Sequence, residues 1–147
     1  MAEVKILHQL PDPDIFRRFR AALGWGEISH DDARRALDVT QLGVVAQCGG
    51  VIVGFGRVTG DGVMSFHIED VIVADDMRGQ GIGRRIVGAL VAQIEDAAAP
   101  GSMISLQAAE GKERFYEGFG FSARPKPGYG AGMMRLVKDA RMPEQDR

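Results

Sequence analysis

The stretch Asp70-Val71-Ile72-Val73-Ala74-Asp75-Asp76-Met77-Arg78-Gly79-Gln80-Gly81-Ile82-Gly83 decides how the rest of the chain is read. A β-branched run ends in an acidic turn, three glycines follow at alternate positions, and an apolar-periodic helix begins behind them. Glycine lets backbone come close to a ligand, and the first amides of a helix have no internal partner. Together they suit an anion, above all a pyrophosphate. The charges on the helix point the same way. Helices favour acids at their start and bases at their end, yet Arg84 and Arg85 open this one and Glu95 and Asp96 close it. With Arg78, three guanidinium groups gather at a positive dipole end, which a bound anion would stabilise. Solvated arginines beside a plain helix-entry turn are the alternative. A dinucleotide fingerprint from Gly79 would need glycine where Arg84 stands, and a P-loop would need a Gly-Lys-Ser/Thr that is absent.

Working outward, the helix runs to about Ala98 with Ile82, Ile86, Val87, Leu90, Val91 and Ile94 as its apolar stripe, and Pro100-Gly101 stops it. Upstream, residues 42–48 and 51–58 are apolar runs joined by Gly49-Gly50, and Gly60-Asp61-Gly62 leads into a third run, 63–73. This pattern predicts a three-strand antiparallel meander. Residues 4–7 read as a first strand. Pro11-Asp12-Pro13-Asp14 opens a helix carrying Ile15, Phe16, Phe19 and Leu23 on one face, and Gly24-Trp25-Gly26 ends it. Ser29 or Asp31 caps a second short helix with Ala33, Ala36 and Leu37 on its apolar side. Downstream come a strand at 103–108, a short helix at 110–117, and strands at 121–124 and 133–137 around a Gly/Pro-rich loop at 125–132. The expectation is an α+β (mixed α/β) domain: about seven strands in one central, mostly antiparallel sheet, with about four helices.

Composition sets the class. The chain has 147 residues, 45% of them hydrophobic and 26% charged, ordinary for one soluble globular domain. We assign residues 1–141 to that domain and 142–147 to a tail. The net charge of −2 argues against a nucleic-acid binder that lives on phosphate contacts. A single cysteine, Cys48, excludes an internal disulfide and reads as core. No run approaches the ~18 apolar residues of a membrane-spanning helix, and no apolar leader is visible near Glu3 and Lys5. The expected location is the cytoplasm, with no membrane partner.

The run Arg78-x-x-Gly81-x-Gly83 resembles the Arg/Gln-x-x-Gly-x-Gly/Ala signature of the GNAT acetyltransferase superfamily. Arg114-Phe115-Tyr116-Glu117-Gly118-Phe119-Gly120-Phe121 is similar to the family's second landmark, a tyrosine on a short helix followed by Gly-Phe. The order of elements agrees over nearly the whole chain. Residues 67–71 also resemble the matching strand of glucosamine-6-phosphate acetyltransferases, a similarity too short to carry the sugar across. The resemblance implies an acetyl-CoA-dependent N-acetyltransferase with a V-shaped opening between the fourth and fifth strands. It implies coenzyme A as co-substrate and no metal. Arg78, Gly79, Gln80, Gly81, Ile82, Gly83 and Arg84 would hold the pyrophosphate. Val71, Ile72 and Val73 would line the pantetheine through their main chains, and the Val71 N–H would face the thioester oxygen.

Attack on the thioester needs a neutral amine, and an alkyl ammonium titrates near ~10.4, so a base is required. His67 and Glu69 are two apart on a strand and share a face. Glu69 is the first choice for the base and His67 the second, while Asp70 has the opposite parity. Tyr116 matches the tyrosine that protonates the departing thiolate, with Phe115, Phe119 and Phe121 as packing around it. One position departs from the family: Ala109 stands where many members carry an asparagine. The acceptor is expected to be a small-molecule amine, contacted by residues 16–32, with Trp25 as a wall or a core anchor, and by 126–132. A protein lysine or N-terminus as acceptor, and a non-catalytic acyl-CoA-binding module, are the competing readings. The family's tendency to dimerise through late strands makes a homodimer an expectation of the resemblance alone.

Overall fold

The computed structural model describes residues 2–137. The chain divides into two compact units, Met1–Gln107 and Ala108–Arg147. The first holds one five-stranded sheet in the order β1-β2-β3-β4-β5. Its strands are β1 (Val4–Leu7), β2 (Leu42–Cys48), β3 (Val51–Gly60), β4 (Ser65–Val73) and β5 (Met103–Leu106). Neighbours pair antiparallel except β4 and β5, which run parallel. A parallel pair needs a crossover, and here the crossover is α3 (Ile82–Ala97).

Local chemistry accounts for the helices. In α1 (Pro13–Ala22), proline occupies the first turn and the Asp12 side chain accepts from the Ile15 N–H. In α2 (His30–Asp38), Ser29 caps the Asp32 N–H, so of the two candidate caps it is Ser29 that serves. Phe16 and Phe19 of α1 and Ala33 and Leu37 of α2 pack on Val45, Phe55 and Ile72 of the sheet. The opposite face of the sheet carries α3, whose Ile82, Ile86, Val87, Leu90 and Ile94 are buried. Each such side chain contributes about 1.5–3 kcal/mol. Gly54 and Gly56 allow the close approach of α3: a Cβ on Gly56 would meet Leu90 Cδ1 at 2.8 Å and Ile86 Cγ2 at 2.9 Å.

In the second unit, α4 (Glu113–Glu117) is shorter than the 110–117 expected. Phe115 lies edge-on to Tyr116 and Phe119, with ring centroids 4.9 and 5.5 Å apart. These rings are half-buried. The expected strands at 121–124 and 133–137 do not form, so the sheet has five strands and not about seven. A β-prone sequence becomes a strand only when a partner accepts its hydrogen bonds. The local pairing in this stretch is a single bridge, Lys126 to Tyr129. Met133, Met134, Leu136 and Val137 are exposed. The boundary expected at 141/142, the tail and residues 138–141 lie outside the described residues. Cys48 is half-buried beside the β2–β3 turn, with Sγ 3.5 Å from the Ala2 carbonyl, and does not belong to the core.

Candidate active site

The site is built on β4, which changes character midway. It pairs with β5 from Ser65 to Ile68 on one side and with β3 from Phe66 onward on the other. Pairing with β5 stops at Ile68 and Leu106, while β4 continues to Val73 against β3 alone. Within that second half the β3 register slips: Arg57 faces Glu69, but Phe55 faces Ile72. Between these pairs one residue of β3, Gly56, faces two of β4, Asp70 and Val71, a β-bulge. The bulge carries Asp70 at φ 51°, a left-handed conformation unusual for a non-glycine residue.

The bulge corrects the expectation for Asp70. Strict alternation sends its side chain away from Glu69, but the extra residue returns it to the same face. The Asp70 carboxylate is 5% exposed and accepts from Arg20 of α1 at 2.5 Å and from Arg57 of β3 at 2.7 Å. Arg57 is fully engaged: Nε reaches Asp70, Nη1 reaches Thr40 Oγ1 at 3.2 Å and Nη2 reaches Glu69 at 3.3 Å. Its guanidinium lies 5.3 Å over the Phe16 ring. Glu69 also accepts from Thr59 Oγ1 at 3.4 Å, yet its side chain stays 36% exposed. Glu69 thus sits in a cross-strand ion pair with Arg57, and its carboxylate still reaches solvent. His67 lies on the same face, opposite Thr59, with Nδ1 2.9 Å from Ser105 Oγ on β5.

Behind β4, a 3₁₀ turn (Asp75–Met77) leads to the glycine loop. Gly79 and Gly81 have φ of 80° and 76°, and a Cβ at either would meet nothing within 4 Å. These glycines serve conformation on the open side of the loop. Gly81 is the N-cap of α3, with no side-chain cap and no acid in the first turn. Arg78 pairs with Asp75 at 3.1 Å and donates to the Val73 carbonyl at 3.4 Å. Ile72 and Ile82 bury their side chains in the core, so only their main chains are available to a ligand. A groove of about 180 Å³ runs between α1 and this end of β4, lined by Arg18, Phe19, Ala22, Ile72, Val73 and Arg78 among others.

Trp25 is 43% exposed, which removes the core-anchor alternative, and the Arg20 guanidinium lies 5.5 Å over its ring. In the second unit, burial pushes the Tyr116 phenol above its ordinary pKa of 10.0. Ala109 caps nothing with a side chain, but its carbonyl accepts the Lys112 N–H at 2.9 Å. Sequence reading missed Arg20, Arg57, Thr59 and Ser105. Of these only Arg57 left a signal, as a lone charge in the apolar run 51–58. Among the described residues no His, Cys, Asp and Glu cluster could hold a metal ion, and no helix is long and apolar enough to cross a membrane.

Comparisons with known proteins agree with this geometry. A probable acetyltransferase of unknown function from meticillin-resistant Staphylococcus aureus superposes with a TM-score of 0.80 at 25% identity, over 92% of this chain and 100% of that one. A GNAT-family acetyltransferase from Streptococcus pneumoniae shares the fold, with a TM-score of 0.73 at 23% identity over 94% and 98%. In sequence, the chain is 30% identical over 109 residues to the chloroplastic serotonin N-acetyltransferase 2 of Oryza sativa subsp. japonica. That match takes in 71% of this chain and 54% of the rice protein, so the chain spans about half the length of this curated relative. A family model described as acetyltransferase (GNAT) domain matches residues 22–137, and with the glycine loop, the β4 bulge and the parted strands in place, the chain belongs to the GNAT acetyltransferase family.

Proposed function

We propose that this protein moves an acetyl group from acetyl-CoA to the primary amine of a small molecule. The amine attacks the thioester directly, through a tetrahedral intermediate. The observation that supports this most is the second half of β4. Its edge is released by β5 after Ile68, and the uncapped start of α3 follows directly behind the glycine loop. An extended pantetheine arm can pair with that edge as a strand would, and an anion can take up the first amides of α3.

In this reading the main chains of Val71, Ile72 and Val73 orient the arm, and the Val71 N–H steadies the developing oxyanion. The segment 78–84 holds the pyrophosphate through its amides, with Arg78 and Arg84 adding charge. Glu69 keeps carboxylate surface open beside Arg57 and Thr59, and it takes the ammonium proton directly or through water. His67 is the second candidate, with Nδ1 engaged by Ser105 and Nε2 left to exchange a proton. Tyr116 gives its proton to the departing thiolate. Its phenol is protonated throughout the neutral range, and burial raises its pKa further, so the transfer depends on contact with the thiolate rather than on an acidified phenol. The rice relative's name specifies a small primary amine, and the exposed Trp25 offers such an acceptor an aromatic wall.

An amine and peptide panel with acetyl-CoA, read as free thiol, tests the reading. Turnover is expected with one or more small amines and is expected to fall about a hundredfold in Tyr116→Phe. Acetyl-CoA binding without turnover on any amine or peptide would favour a non-catalytic acyl-CoA module, and turnover on peptides alone would move the acceptor to protein.

A further inference from the structure

The buried charge cluster beneath the β4 bulge is costly in three ways at one point. Asp70 holds a left-handed backbone at φ 51° without being glycine. Two guanidinium groups converge on its single carboxylate, which is 5% exposed. Arg20 keeps a buried Nε with no hydrogen-bond partner among the described residues. Charges buried in this way stabilise a fold no better than well-packed apolar side chains would. Strain and an unsatisfied donor at one place mark a geometry that is held for a purpose.

The geometry has a clear alternative. Without its extra residue β4 would alternate regularly, and Asp70 would turn towards the α3 face. That face is apolar here: the Val71, Ile86 and Leu90 side chains gather over Gly56. The carboxylate is kept from it by Arg20, reaching from α1, and by Arg57, reaching across from β3. Arg20 is braced in turn, its guanidinium lying 5.5 Å from both the Phe16 and Trp25 rings. Arg57 carries the connection on to Glu69 and to Thr40 at the end of α2.

We propose that Arg20, Asp70 and Arg57 are positioning residues that clamp the extra residue of β4 in its left-handed conformation. The clamp sets the direction of the Glu69 carboxylate and of the main chain at Val71. It also ties both to the helix that leads into the Trp25 loop. The inference rests on the acetyl-transfer reading, in which Glu69 is the base and Val71 meets the thioester.

Three variants test it: Arg20→Ala, the conservative Arg20→Lys, and the double variant Arg20→Gln/Asp70→Asn. The double variant removes both charges, keeps hydrogen-bonding groups and retains a residue tolerant of left-handed backbone. In Arg20→Ala and the double variant, kcat is expected to fall about tenfold or more while acceptor KM changes little, because reacting groups are misdirected rather than removed. Arg20→Lys should recover most of the rate. A folded double variant with wild-type kcat would overturn the proposal. Amide hydrogen exchange gives a readout independent of turnover. In Arg20→Ala it should accelerate at residues 69–71 by about tenfold over any change at 65–68. Equal acceleration along all of β4, or none, would leave Arg20 with a general structural role and sink the clamp. If the wild type acetylates no amine, the functional reading fails, and the exchange pattern still decides the clamp.

Discussion

The two halves of β4 share one strand and one neighbour, β3, and differ in everything else. The first half, Ser65 to Ile68, is paired with β5 throughout and with β3 from Phe66, and it buries Phe66 and Ile68. The second, Glu69 to Val73, lacks a β5 partner, carries the bulge and gathers four charged groups there, Arg20, Arg57, Glu69 and Asp70. The first half has the marks of stability and the second those of function. A sheet that closes completely has no main-chain groups left for a ligand, so the opening has to come where pairing is given up. The bulge then supplies what pairing no longer does, a defined direction for each side chain.

The largest effect is expected in the paired half. Phe66→Ala removes a fully buried ring and should destabilise the fold by about 3–5 kcal/mol in chemical denaturation. The folded fraction should still bind acetyl-CoA with wild-type affinity. A lost affinity in folded protein would show that the two halves are not separable. Glu69→Gln strikes the other half and should do the reverse, lowering kcat about a hundredfold with little change in unfolding. A rate that survives this change would shift the base to His67.

Gly81→Ala acts at the far end of the opening. No atom lies within 4 Å of the new Cβ, so the penalty comes from φ 76° alone. It should be about 1–2 kcal/mol, seen in stability or as a backbone shift that weakens acetyl-CoA binding in calorimetry. The smallest effect is expected at Asp61, in the turn before β4. Its carboxylate accepts the N–H groups of Val63, Met64 and Ser65 at 2.8, 2.8 and 3.0 Å. Those bonds hold its pKa below 3.8. A lowered folded-state pKa gives stability that is present above 3.8 and lost as pH falls through the folded value. Asp61→Ala should therefore lower the melting midpoint slightly at neutral pH and not at all in strong acid, with turnover unchanged.

Much of this was legible in the sequence because it depends on local chemistry. Asp12, Pro13 and Ser29 start helices wherever they precede an apolar stripe. The spacing of Ile82, Ile86, Val87, Leu90 and Ile94 allows one buried face. The glycine loop declares itself through Gly79 and Gly81 together with the reversed charges of α3. What stayed hidden depends on distant partners. Counting by twos along β4 places Asp70 correctly only if the strand is regular, and the extra residue that changes its face leaves no mark in composition. Arg20 and Asp70 are fifty positions apart, so nothing local announces their pairing. The strands expected at 121–124 and 133–137 show the converse error, since apolar residues such as Phe121, Leu136 and Val137 are suited to a strand but do not supply its partner. Tyr116 was identifiable only through its neighbours in a known pattern, because an aromatic cluster packs equally well with or without a hydroxyl.

Amide hydrogen exchange across β4 and the glycine loop, with and without acetyl-CoA, tests most directly whether the open half of β4 holds the cofactor. Acetyl-CoA should add protection at 71–73 and 79–84, and none at 66–68, where β4 is paired on both edges. Protection confined to 65–68 or to α1 and α2, or no change on adding acetyl-CoA, would contradict a cofactor held there.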